Sequence, residues 1–160
     1  MSTDHRTQSR AKRHPLTLPK WFRPKLDADQ RTSLRVAHWD NVTAFTSGTA
    51  TKQTLLEWMS SGFTYAHMMQ LLAADGEEFT PEAEAAIAGQ IETYPAIVER
   101  YRKFGRIGFS AAEYLAAKAA AETMDALVEL DRHGIALRAV VLSEADMRRV
   151  NLTTLVEALQ

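Results

Sequence analysis

His38, Trp39, Asp40 and Asn41 group an imidazole, a carboxylate and an amide within one helical turn, a set that could hold a metal or move a proton. Neighbouring helical residues diverge by roughly 100°, so only His38 and Asn41 share a face. The pattern reads better as a histidine at the edge of a core, hydrogen-bonded by its neighbours. His67 and His133 stand without a second ligand at metal spacing, and no paired-histidine motif occurs. Glu122, Asp125 and Glu129 follow i, i+3, i+7 spacing with Arg132 three further on, which reads as a solvated row partly paired along its own helix. Ser60, Ser61, Ser110 and Ser143 read as turn or cap residues, because no glycine elbow frames any of them. Neither Gly105–Arg106–Ile107–Gly108 nor Gly48 builds a phosphate cradle. Cysteine is absent, which removes thiolate nucleophiles, thiolate zinc sites and disulfides and suits a reducing compartment. The expectation is a protein that is not an enzyme and has no cofactor or metal.

What remains is charge. Residues 1–26 hold seven Lys/Arg against one acid, a charge of +6, while residues 27–160 hold 12 Lys/Arg against 19 Asp/Glu, or −7. A near-neutral total thus conceals a basic arm, expected to be partly disordered, joined to an acidic helical domain. In the arm, Arg10, Lys12, Arg13, Lys20, Trp21 and Arg23 are candidate partner-binding residues, with Leu16, Leu18 and Phe22 interleaved. Pro15, Pro19 and Pro24 block helix there and favour an extended path. Packing of this stretch onto the acidic body is the competing reading. Arg100, Arg102, Lys103 and Arg106 form the body's basic cluster and are the other partner-binding candidates, unless they simply complement a helix C-terminus at Gly105. The charged N-terminus lacks the apolar region of a signal peptide, and no apolar run approaches the ~18 residues of a membrane span, so a cytoplasmic protein is expected.

The elements that must position these groups are helical. Asp27 or Asp29 caps a helix through Phe45, with Leu34, Ala37, His38, Asn41 and Phe45 on one face. Thr51 opens a short helix stopped by Gly62, and Thr64 opens the next, closed by Asp75–Gly76. Thr80–Pro81–Glu82 starts a helix running to Phe104, kinked or broken near Pro95. Ser110–Glu113 is a capping box for a helix reaching about His133, with Gly134 as its stop. Eight alanines between Ala111 and Ala126 mark a central helix or a dimer seam. Residues 135–142 are apolar without a period and are compatible with strand or helix. Ser143 and Thr153 or Thr154 open final helices.

The run Leu55–Leu72 followed by Asp75–Pro81 resembles the helix-turn-helix regions of small regulators carried by bacterial plasmids, phages and integrative elements. The resemblance implies an apolar helix, a turn at Gly62, a second helix, and a Thr80-capped helix that reads DNA. That last helix carries Glu82, Glu84 and Glu92 and no Lys or Arg before Arg100, where groove entry needs cations. In size, charge and style the chain also resembles small acidic anti-defence proteins, including anti-CRISPR proteins. The expected fold is all-α, a bundle of six to eight helices with an extended basic N-terminal arm. The expected function is binding and inhibition or modulation of a host protein or nucleoprotein complex, with nucleic acid contacted through the arm, no membrane, and homodimerisation open. A DNA-binding regulator is the alternative.

Overall fold

The computed structural model describes residues 25–149, so Arg10, Lys12, Arg13, Lys20, Trp21 and Arg23, and the helix expected from Thr153 or Thr154, lie outside the described residues. The described residues fold into five helices and no strand: α1 (Ala28–Ser47), α2 (Lys52–Ala74), α3 (Pro81–Phe104), α4 (Ala111–Glu129) and α5 (Ile135–Arg149). The fold is all-α, with fewer helices than the six to eight expected because two expected boundaries fall inside continuous helices.

The caps follow the sequence. Asp27 with Gln30, Thr51 with Thr54, and Ser110 with Glu113 form reciprocal capping boxes, and Thr80 Oγ1 accepts from the Ala83 N–H ahead of Pro81. Gly48 and Gly105 close α1 and α3 in the left-handed conformation that glycine adopts at little cost.

Gly62 does not stop a helix. It is buried inside α2, and its missing side chain makes room for Tyr94 of α3, whose hydroxyl donates toward the carbonyls of Trp58 and Met59 at 3.2 Å. Close approach, rather than termination, explains the glycine, and the expected turn of the helix-turn-helix pattern is absent. α3 likewise continues through Pro95, which is exposed and lacks only the N–H that would have met the carbonyl of Ile91. α4 stops at Glu129, short of His133. His133 and Gly134 take left-handed φ angles of 55° and 71°, and Asp131 Oδ1 accepts the Ala136 N–H at 2.9 Å, opening α5. Residues 135–142 are therefore helix, and Ser143 lies within α5, buried, donating to the Ser60 carbonyl at 3.1 Å.

The core has two lobes. Met68, Leu72, Met124, Leu127, Val128, Ile135 and Ala139 join α2, α4 and α5. Phe45, Leu55, Trp58, Tyr94, Ile97, Ala117 and Ala121 join α1, α2, α3 and α4, with Phe109 stacked 4.5 Å from Phe45. The small side chains of Ala117, Ala120 and Ala121, all buried, let α4 pack closely among its neighbours.

Candidate functional site

α5 carries more apolar surface than the core uses. Ile135, Ala136 and Ala139 face inward, yet Leu137, Val140 and Val141, at i, i+3, i+4 spacing, are 64%, 42% and 60% exposed. That two-sided apolarity erased the period from residues 135–142. On α1, the stripe Leu34, Ala37, His38, Asn41 is also only partly core. His38, Val42 and Phe45 are buried, while Leu34, Ala37 and Asn41 line an open groove.

This groove, of about 590 Å³, runs between α1, α2 and α5. Tyr65 and Met68 of α2 and His38 form its buried floor, Ala136 and Val140 its far wall, and Ser60, Ser61 and Thr64 its polar flank. Asp40 and Glu57 line it and are exposed. Glu57 accepts a hydrogen bond from Gln53 at 2.8 Å, but among the described residues neither carboxylate has a cation partner. The groove therefore combines exposed aliphatic walls with uncompensated negative charge.

Beneath it lies a polar network. His38 Nε2 meets Asp125 Oδ1 at 2.8 Å, and Trp39 Nε1 donates to Asp125 Oδ2 at 2.9 Å. Glu129 pairs with Arg31 at 3.2 Å and with Arg35, whose Nε stands 4.0 Å from Asp125. The row is solvated and partly paired as expected, but its partners differ: Asp125 and Glu129 bind α1 across the interface, Glu122 stands 3.9 Å from Lys118, and Arg132 turns away to Asp75 and Glu77 at 2.9 and 2.8 Å. The partner of His38 likewise comes from α4, 87 residues away, rather than from its sequence neighbours.

Burial lowers the His38 pKa from its ordinary 6.5, outweighing the hydrogen bond and charge of Asp125. A neutral ring donating Nε2–H to Asp125 leaves Nδ1 to face the Tyr65 hydroxyl at 3.5 Å, and burial raises the Tyr65 pKa so that the hydroxyl keeps its proton. Both ring nitrogens are thus engaged inside the protein. No cluster of three metal-ligating side chains occurs among the described residues.

The body's basic cluster is divided. Arg100 donates to the Gly108 carbonyl and to Glu113, each at 2.6 Å, and so braces the α3–α4 turn, with its side chain 31% exposed. Arg102 and Lys103 pair with Glu99 on the exposed surface of α3, and Arg106 is exposed in the turn. No helix among the described residues is long and apolar enough to cross a membrane.

Compared with protein-family models, with curated proteins and with solved structures, the chain finds no match. The resemblance carried by Leu55–Pro81 accordingly stands on the sequence pattern alone.

Proposed function

We propose that this is a non-enzymatic, cytoplasmic helical interaction protein that binds and inhibits or modulates a host protein or nucleoprotein complex. The observation that carries the reading is the groove between α1, α2 and α5, whose wall residue Val140 shares α5 with exposed Leu137 and Val141, and which is lined by Asp40 and Glu57, neither with a cation partner among the described residues. Contiguous exposed apolar surface rimmed by polar groups is what partner-binding faces present, and the carboxylates select a partner surface that mixes cations with apolar side chains. Arg102, Lys103 and Arg106, with the arm's Arg10, Lys12, Arg13, Lys20, Trp21 and Arg23, supply secondary contacts to acidic or phosphate groups. A mobile-element, anti-defence role is the biological setting the sequence resemblance suggests.

The alternative of a DNA-binding regulator draws no support from the α2 geometry, and exposed Glu82 and Glu84 would repel a phosphate backbone. The test is capture of partners from bacterial lysate on the immobilised full chain, with and without nuclease. Retention of a discrete protein after nuclease supports the proposal; loss of all retained protein after nuclease overturns it in favour of nucleic-acid binding.

A further inference from the structure

The groove does not end at Glu57. A second cavity, of about 390 Å³, shares Glu57 and Ser60 with it and continues over Leu56 of α2 and over Glu144 and Met147 of α5. The α5 wall of the two is one face: Ala136, Val140, Glu144 and Met147 follow i, i+4, i+8, i+11 spacing, and Leu137 and Val141 form the adjacent exposed row. Neighbouring rows at four-residue spacing leave between them the furrow into which the ridge of another helix packs. From Ala136 to Met147 this wall runs about 17 Å, roughly three helical turns. Ala37, Ser60 and Ser61 keep the facing lining low, so a helix can come close.

We propose that the occupant of this groove is a basic amphipathic helix of a protein partner, its aliphatic face on Leu137, Val140 and Val141 and its lysines or arginines toward Asp40 and Glu57. The inference rests on the groove being a partner-binding surface, and names what that partner presents. Helical form follows from the backbone. An extended segment needs a free sheet edge to pair its N–H and C=O groups, and the described residues contain no strand. At the junction of the two cavities α2 offers no substitute, because the Ser60 carbonyl already accepts from Thr64 and Ser143 at 2.9 and 3.1 Å. A helix pairs its own backbone and brings only side chains to the contact. The sign of the charge follows from the lining. Asp40 and Glu57 have no cation partner among the described residues, and Glu144 stands 3.7 Å from an exposed Arg148. A neutral or acidic helix would cover these carboxylates and leave them unpaired, whereas cations on its flank pair them.

The probe is a blocked peptide of about 16 residues, leucine at i, i+3, i+4, i+7 spacing with lysine on both flanks, a length only marginally helical when free. Binding to the full-length protein is read by fluorescence anisotropy of the labelled peptide, and folding by circular dichroism of the mixture against its separate components. The peptide should bind with a gain in helicity. Two relatives, one with glutamate for every lysine and one reordered so that no apolar face forms, should each bind about tenfold more weakly or worse. Asp40→Asn with Glu57→Gln should weaken binding about tenfold, while Glu82→Gln with Glu84→Gln, an equal change of charge on exposed positions of α3, should not. Equal binding of the reordered peptide, no gain in helicity, or equal losses from the two pairs of charge changes would overturn the proposal. So would a dimer of the protein alone, seen by sedimentation and dissociated by the peptide, which would assign the groove to a second copy. No selective binding together with lysate capture that still depends on Val140 would overturn the helical occupant alone. Selective binding with capture indifferent to Val140 would uphold the groove's chemistry and overturn the proposed function alone.

Discussion

The Tyr94 hydroxyl occupies the space where a side chain at Gly62 would begin: a Cβ there would overlap the hydroxyl oxygen, and Tyr94 Cζ and Gln90 Nε2 would each lie 3.1 Å away. The relationship locks α3 onto α2 through a buried hydroxyl shared with the Trp58 and Met59 carbonyls. In an open helix Gly→Ala would stabilise by roughly 0.5–1 kcal/mol. Here Gly62→Ala should destabilise by about 1–3 kcal/mol through overpacking. Tyr94→Phe removes the clashing oxygen, so the double variant should cost less than the sum of the two single changes, measured by urea denaturation. Additive costs would mean that the two residues do not touch.

Acid should weaken the fold in two stages. The folded-state pKa of His38 lies below 6.5, with Asp125, Arg35 and Tyr65 as its neighbours, so its contribution is present above pH 6.5 and is lost as pH falls through the folded value. Burial raises the Glu113 pKa, but the hydrogen bonds from Arg100 and Ser110 outweigh it, and the net displacement is downward from 4.5. Its contribution is present above pH 4.5 and is lost on further acidification. Thermal melts from pH 8 to pH 3 should show both losses, and His38→Gln should flatten the upper one. An unchanged upper limb in that variant would show that another group titrates there.

Ser110→Ala should cost about 1 kcal/mol, the usual value of an N-cap hydroxyl. Glu113→Ala should cost more, because Glu113 accepts both from the Ser110 N–H and from Arg100, at 2.6 Å each. Equal costs measured by denaturant unfolding would mean that the Arg100 pair adds nothing to stability.

Ala120 is fully buried, at 0% exposure, where α4 meets the lobe containing Met68 and Met124. Ala120→Leu should destabilise by about 1–3 kcal/mol. A neutral result in a thermal melt would imply unfilled space at that contact.

Local signals were legible in the sequence wherever a short-range rule decides the outcome. The caps at Thr51, Thr80 and Ser110 needed only residue type and spacing, while the first lay between Asp27 and Asp29, of which Asp27 is the cap. Gly62 misled because a glycine that ends a helix and one that admits a neighbouring ring look alike until the neighbour, Tyr94, is known. Asp125 and Glu129 were read along one helix although their cations belong to another, an association that no spacing within α4 encodes. Residues 135–142 lacked a period because the helix is apolar on two sides. That missing period was itself the trace of the exposed Leu137, Val140 and Val141, and so of the groove.

Binding of a protein partner by the groove and the α5 face is open to direct measurement. The comparison is nuclease-treated lysate capture on the native chain and on a Leu137→Asp, Val140→Asp, Val141→Asp variant, with helicity checked by circular dichroism. These side chains are exposed, so the variant should fold. The protein retained by the native chain should be lost, or reduced by about tenfold or more, on the variant, a tenfold loss corresponding to about 1.4 kcal/mol from charges placed in the centre of an apolar interface. Undiminished capture of the same protein by a folded variant would contradict binding through this face.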